Sequence, residues 1–121
     1  MTPFAQWMMI GALGFAGVLC RYGLDLALSS VAFPLSTFVI NVTGSFAIGY
    51  ISGGALITSQ AVKLAVLTGF LGGFTTFSSY SLQTVTLLQQ QQIGAAALYG
   101  ALSPALGLLA AWAGLRAAAL L

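Results

Sequence analysis

Charge is nearly absent from this chain, and that absence constrains the fold more than any motif does. Of 121 residues only four are charged, Arg21, Asp25, Lys63 and Arg116. A soluble domain carries charge on about 25% of its residues, so this chain cannot cover a water-facing surface. With 60% hydrophobic residues, it is expected to fold in lipid as a single domain over residues 1–121.

The charged positions also mark where the chain leaves the membrane, because a charge at the bilayer centre costs at least about 2.5 kcal/mol. Three uncharged stretches remain, residues 1–20, 26–62 and 64–115. One crossing takes about 20 residues, so the last stretch holds two, divided at the glutamine run 89–92. We therefore predict an all-α membrane protein whose four transmembrane helices cover about 4–25, 33–56, 61–88 and 93–115.

Helix-start signals lie ahead of the first three spans. Thr2 is a favoured N-cap, and Pro3 suits the first helical position. Pro34 and Ser59 precede the second and third spans. Residues 1–10 lack the basic segment of a cleaved signal peptide, so the first span is expected to stay in the mature protein.

The basic residues give the chain little reason to insert in one orientation. With four crossings, Lys63 and Arg116 lie on the side of both termini and Arg21 lies on the other side. Orientation follows an excess of Lys and Arg on the cytoplasmic side, and this excess is nearly zero. Dual topology follows as a hypothesis, which would make antiparallel homodimers possible.

The missing residue types exclude most catalysis. Without histidine, and with one cysteine and one acid, the chain cannot build a side-chain metal site, a Cys–His pair or a pair of carboxylates. Proton-coupled transport normally needs a titrating group inside the membrane, and only Asp25 is available. Asp25 follows Arg21 by four residues near the end of the first span, where an interfacial ion pair is the simpler interpretation. A passive conductor is favoured over an enzyme or a pump.

Neutral polar residues lie on one face of the second span. Thr37, Asn41, Gly44 and Ser45 recur at helical spacing and so share this face. Small and hydroxyl residues commonly mediate helix packing, which is the favoured role for Gly44 and Ser45. The amide of Asn41 needs partners at low dielectric, and a pore role and a packing role stay equally open for it.

The third span carries the densest pattern, GFLGGFTTFSSYS at residues 69–81. Gly72-Gly73 followed by Thr75-Thr76 is poor helical sequence and predicts a break in this helix. Broken backbone survives at membrane depth only inside protein or beside a wet cavity, and its freed carbonyls suit a hard cation such as Na⁺. Alternatively, Gly69 and Gly73 form a close packing face with GxxxG spacing.

Aromatic and hydroxyl side chains follow this pattern at residues 77–80, FSSY. Aromatic ring edges are electropositive and hydroxyls donate hydrogen bonds. Together they could bind an anion weakly enough to release it, although aromatic pairs also serve for packing.

In the fourth span, Tyr99 and Ser103 lie four residues apart, and Pro104 is expected to kink the helix. Tyr99 could equally be an interfacial residue, and Ser103 could bond its own backbone.

Three of these stretches together resemble the Fluc (CrcB) family of fluoride channels. The first is the glycine-rich segment 11–22, which ends in Arg21-Tyr22, and the second runs from Phe33-Pro34 through Thr37, Asn41 and Gly44. The third is the segment 69–81, which is similar to the family's Gly-Gly-x-Thr-Thr-Phe-Ser-Thr-Phe signature. Length, four spans and ambiguous topology extend the resemblance over the whole chain.

The resemblance implies a passive fluoride-selective channel that exports fluoride across the inner (plasma) membrane and relieves fluoride toxicity. It also implies an antiparallel dual-topology homodimer with a structural Na⁺ at its centre, bound by the backbone carbonyls of Gly72 and Thr75. Arg21 would lie near the aqueous vestibule. The fluoride pathway would be lined by Asn41, Phe77, Ser78, Ser79, Tyr80, Tyr99 and Ser103. The implied partners are fluoride, a second copy of the chain and the lipid bilayer, with no nucleic acid.

The chain departs from the family pattern at four positions. Ser36 replaces a usual glycine, Ser79 a threonine, Tyr80 the second phenylalanine and Gln83 a frequent glutamate. Two other functions stay open from the residues alone. A small proton-coupled multidrug exporter would need a membrane-embedded carboxylate in the first helix, whereas a structural membrane subunit would need only the glycine and hydroxyl faces.

Overall fold

Helices account for the regular structure of the residues described by the computed structural model, which are 1–29 and 33–121. In chain order the elements are α1 (Pro3–Ala27), α2 (Leu35–Gly53), α3 (Gln60–Leu64), a π-helical segment (Ala65–Leu71), α4 (Gly72–Phe74), α5 (Phe77–Gln89) and α6 (Ile93–Ala119). The stretch Gln60–Gln89, from α3 to α5, is called the third span below.

Within residues 1–29 and 33–121, four stretches are long and apolar enough to cross a membrane: α1, α2, the third span and α6. This confirms the predicted all-helical class and the predicted number of apolar helices. Many large apolar side chains face outward, and Trp7 and Leu108 are 74% and 75% exposed. Helices that are apolar all round are typical of membrane spans, so these side chains are expected to contact lipid.

The predicted helix starts are confirmed. The Thr2 hydroxyl accepts a hydrogen bond of 3.2 Å from the Ala5 amide, and proline occupies the first turn of α1. Ser59 caps α3 in the same way, with 3.4 Å between its hydroxyl and the Val62 amide. Pro34 directly precedes α2. These caps satisfy amide groups that a helix leaves without partners at its first turn.

The connection between α5 and α6 lies within the glutamine run. The Gln91 amide donates to the Leu88 carbonyl at 3.1 Å, and the Gln92 amide donates to the Leu87 carbonyl at 2.9 Å. These two bonds form a Schellman motif, in which the residue after the helix C-cap takes a left-handed conformation. Gln91 takes that conformation with φ 61°, a position that glycine usually occupies.

Close backbone contacts join the helices in two groups. α2 packs along α6, and α1 packs against the π-helical segment and α4. A Cβ atom placed on Gly69 would lie 2.5 Å from the Ile10 carbonyl oxygen, and one on Gly73 would lie 2.5 Å from the Gly14 carbonyl oxygen. Neither position has room for a side chain. The packing face predicted for Gly69 and Gly73 is therefore confirmed.

Two extended residues interrupt the helical backbone of the third span. Thr75 has φ −85° and ψ 156°, and Thr76 has φ −149° and ψ 113°. We call Thr75-Thr76 the interruption. Gly72 and Gly73 are themselves helical. β-Branched residues fit extended backbone better than helix, which accounts for the position of the interruption at the threonines.

Candidate functional site

Asn41 in α2 binds both polar groups of the Thr76 backbone. Its side-chain nitrogen Nδ2 donates to the Thr76 carbonyl at 2.9 Å, and the Thr76 amide donates to Asn41 Oδ1 at 2.8 Å. Backbone at membrane depth needs such partners because lipid offers none. Asn41 therefore stabilises the extended backbone, and a carboxamide retains one further N–H for another acceptor.

Two carbonyls near the interruption lose their usual helical donors. In an α-helix, the carbonyl of one residue accepts from the amide four residues later. The Thr76 amide donates to Asn41 instead of to Gly72. The Ser79 amide donates to the Thr76 hydroxyl at 3.2 Å instead of to Thr75. The carbonyls of Gly72 and Thr75 are thus released from the helical pattern, and oxygen donors of this kind suit hard cations.

Arg21 contacts the backbone two residues before the interruption. Its Nε donates to the Gly73 carbonyl at 3.1 Å and not to Asp25, the ion-pair partner that the helical spacing suggests. Asp25 itself accepts a hydrogen bond of 2.8 Å from the Ser36 hydroxyl. These bonds connect α1 to the third span through Arg21 and to the beginning of α2 through Asp25.

An open groove of about 480 Å³ lies beside the interruption, between α2, the third span and α6. Its polar lining includes Asn41, Thr76 and Ser103, and its aromatic lining consists of Phe77 and Tyr80. Among the described residues that line it, none is Asp, Glu, Lys, Arg or His. The groove therefore offers neutral donors and aromatic rings without a fixed charge.

A row of aromatic rings leads away from the groove. The ring centroids of Phe77 and Tyr80 are 5.7 Å apart, and those of Tyr80 and Tyr99 are 5.3 Å apart. Phe33 meets Tyr99 edge-on at 5.4 Å with an interplanar angle of 80°. Tyr99 is fully buried. These contacts form a continuous aromatic path from an exposed ring to the interior of the helix bundle.

A chain of neutral hydrogen bonds lies next to this aromatic row. The Tyr99 hydroxyl donates to Gln83 Oε1 at 2.8 Å, and Gln83 Nε2 donates to the Thr37 hydroxyl at 2.9 Å. Thr37 and Gln83 also line a second pocket of about 460 Å³, which includes Asp25 and Ser79. Thr37 lies about one turn from Asn41 on α2, and Gln83 about one turn from Tyr80 on α5. The two pockets therefore follow one another along the same helices.

The structure brings most of the predicted site residues together. The groove holds Asn41, Phe77, Tyr80 and Ser103, together with Gly72 and Thr75. Ser79 lines the second pocket, and Tyr99 lies beside it through its bond to Gln83. Ser78 is exposed, with its hydroxyl 3.4 Å from that of Thr76.

Sequence reasoning missed the linking role of Gln83, which it treated only as a departure from a family pattern. The residue joins Thr37 to Tyr99 across three helices. A signal was available, because an amide in an apolar span needs partners at low dielectric. The same need for partners at low dielectric singles out Asn41 in the sequence of the second span.

Comparison with known proteins gives a consistent family match. Residues 8–115 match the family described as "CrcB-like protein, Camphor Resistance (CrcB)". The chain is 42% identical over 120 residues to "Fluoride-specific ion channel FluC 2" of Geobacillus kaustophilus, covering 93% of this chain and 92% of the relative. It is 43% identical over 117 residues to "Fluoride-specific ion channel FluC" of Geobacter sulfurreducens, covering 92% and 94%. The identically named protein of Prosthecochloris aestuarii is 46% identical over 101 residues, covering 79% of each chain.

Proposed function

The chain belongs to the CrcB-like family, and from this premise we propose that it is a passive fluoride-selective channel that exports fluoride across the cell membrane and relieves its toxicity. It is a multi-pass membrane protein and not an enzyme. The observation that carries the proposal is the groove beside the interruption, whose described lining combines neutral donors and aromatic rings without a charged side chain.

The chemistry of the groove suits a small, strongly hydrated anion. Such an ion enters a narrow path only if protein donors replace its water, and it leaves only if no site binds it too tightly. Asn41 retains an amide N–H, Ser103 contributes a hydroxyl, and the ring edge of Phe77 is electropositive. None of these groups carries a full positive charge, so each can release the ion to the next.

The proposed route runs from the groove to the second pocket. Fluoride passes along the Phe77 and Tyr80 rings and then reaches the Tyr99–Gln83–Thr37 chain, which it crosses by replacing those hydrogen bonds in turn. Gln83 and Tyr99 both carry donors that can turn toward an anion. The hydroxyls proposed for this route are those of Ser78, Ser79, Tyr99 and Ser103, together with that of Thr37 in the hydrogen-bonded chain.

We also propose a structural Na⁺ site formed by the carbonyls of Gly72 and Thr75 from two subunits. Its support is the loss of the usual amide donors, because the Thr76 and Ser79 amides bond elsewhere. When bound, the cation would supply positive charge that holds the two interruptions together. Unfolding temperature measured in Na⁺ and in a large organic cation tests this site, with higher stability expected in Na⁺ and equal stability contradicting it.

An antiparallel dual-topology homodimer is the proposed assembly. Phe77 is 79% exposed and Gly72 is also exposed, and both line the groove. A second copy seated over this open face would cover them. The nearly equal distribution of basic residues between the two sides supports insertion in both orientations.

The topology proposal can be tested by fixing the orientation of each copy with added lysines. One variant carries Thr58→Lys and Gln60→Lys, and the other carries Gln89→Lys, Gln90→Lys and Gln92→Lys, on the opposite side of the membrane. Each variant alone is expected to release little fluoride from cells, while coexpression restores release. Full activity of either variant alone would contradict an antiparallel dimer.

The position of Asp25 weakens the proton-coupled exporter as an alternative. A proton-coupled exporter needs a carboxylate that exchanges protons within the membrane. Asp25 lies near the end of α1 and is bonded to Ser36 at the beginning of α2. A purely structural subunit would need the bonds of Asn41 to the Thr76 backbone, but it would give no role to the second amide N–H that these bonds leave over.

Fluoride release from liposomes tests the proposed function. Purified protein is reconstituted into vesicles loaded with potassium fluoride, valinomycin is added to balance charge, and release is followed with a fluoride electrode. We expect rapid release of fluoride with retention of chloride in a parallel preparation, and no release from protein-free vesicles. Retention of both ions by folded, reconstituted protein would contradict a channel.

A further inference from the structure

The Tyr80 hydroxyl binds a particular carbonyl on the neighbouring helix. It donates to the Gly100 carbonyl of α6. In a regular α-helix that carbonyl would accept from the amide of residue 104. Residue 104 is a proline inside α6, and proline has no amide hydrogen. The Gly100 carbonyl therefore lacks its helical donor, and α5 supplies another.

The two helices approach closely at this level. Thr84 lies one turn beyond Tyr80, and a Cβ atom placed on Gly100 would lie 3.3 Å from the Thr84 methyl group. The Tyr80 ring is also held against the Tyr99 ring, with centroids 5.3 Å apart. Within lipid, an unpaired carbonyl has no water to bond, so the hydroxyl is the donor that this position requires.

We infer that Tyr80 is a positioning residue whose hydroxyl connects α5 to α6 at the carbonyl left free by Pro104. A phenol has a single O–H, and this hydrogen is committed to Gly100. The hydroxyl is therefore not a ligand for the permeating anion. An ion in the groove meets the ring of Tyr80, whose orientation the bond to Gly100 fixes.

A double-mutant cycle between Tyr80 and Pro104 tests this inference. Tyr80→Phe removes the donor, whereas Pro104→Ala restores the helical amide that can bond Gly100. The wild type, both single variants and the double variant are compared as full-length protein in detergent and in liposomes. Tyr22→Phe is the matched control, because it makes the same chemical change, the loss of one phenol hydroxyl, at a residue that is 60% exposed.

With Pro104 present, Tyr80→Phe is expected to lower the unfolding midpoint by about 5 °C and to slow fluoride release. In the Pro104→Ala background, the loss in unfolding midpoint and the slowing of release should each be less than half of their size with Pro104 present. Tyr22→Phe should have the same effect in both backgrounds. Equal effects of Tyr80→Phe in the two backgrounds, in unfolding or in release, would overturn the inference. The unfolding measurement does not depend on conduction, so its result is separate from a failure of the proposed function.

Discussion

Asn41 and Thr76 exchange two hydrogen bonds across the interface of α2 and the third span, at 2.9 and 2.8 Å. This pair explains how extended backbone persists within a membrane helix. It also releases the Gly72 carbonyl, because the Thr76 amide is occupied by Asn41. One side chain thus supports the interruption, the proposed cation site and the neutral lining of the groove.

Asn41→Asp should reduce fluoride release at least about tenfold, because a carboxylate at low dielectric repels an anion strongly. It also removes the Nδ2 donor to the Thr76 carbonyl. Electrode measurements on liposomes check the rate. Gln60→Glu is the matched control, since it makes the same amide-to-carboxylate change at an exposed helix start and should leave release intact. Unchanged release by Asn41→Asp would remove Asn41 from the pathway.

Asp25→Asn should raise the initial rate of release about twofold to threefold at low ionic strength, since it removes the acidic group from the second pocket. The Asn oxygen can still accept from Ser36. Added salt should diminish the difference because it screens the carboxylate of the wild type. Loss of transport in this variant, together with proton-driven dye efflux by the wild type, would instead support an exporter.

Gln91→Gly should raise stability by about 0.5–1 kcal/mol, because glycine adopts the left-handed conformation at φ 61° without the steric cost of a side chain. Thermal unfolding in detergent measures the effect. Gln90→Gly serves as the control, since Gln90 has φ −80° and gains no relief. Equal changes in the two variants would show that backbone strain at Gln91 is unimportant.

Gly69→Ala should lower stability by about 1–3 kcal/mol, because the added methyl group would push against the Ile10 carbonyl oxygen and separate α1 from the third span. Thermal unfolding measures this loss. Gly11→Ala is the comparison, because a Cβ there has nothing within 4 Å and alanine favours the helix. A neutral Gly69→Ala variant would contradict the close packing of these two elements.

The general architecture could be predicted because each of its signals is local or compositional. Four apolar helices follow from the scarcity of charge, and the helix starts follow from Thr2, Pro34 and Ser59. The packing role of Gly69 and Gly73 follows from their spacing. All three predictions are confirmed by the structure.

What could not be predicted depends on contacts between distant residues. The partner of Asn41 lies 35 positions away in sequence, and Gln83 bonds Thr37 from 46 positions away. The π-helical segment Ala65–Leu71 has no sequence signal that we recognised. Predicting the bond from Tyr80 to Gly100 requires two facts: that Pro104 leaves the Gly100 carbonyl without its helical donor, and that α5 lies close to α6. Only the first can be read from sequence.

Current across a planar bilayer under a fluoride gradient shows whether the protein is a passive fluoride-selective pore, because the reversal potential of such a pore must follow the equilibrium potential of fluoride. With equal chloride and equal pH on both sides, we predict that the reversal potential shifts by about 59 mV for each tenfold fluoride gradient. A reversal potential that does not change with the fluoride gradient but follows an imposed chloride or proton gradient would contradict a passive fluoride channel. The absence of current from folded protein would contradict it as well.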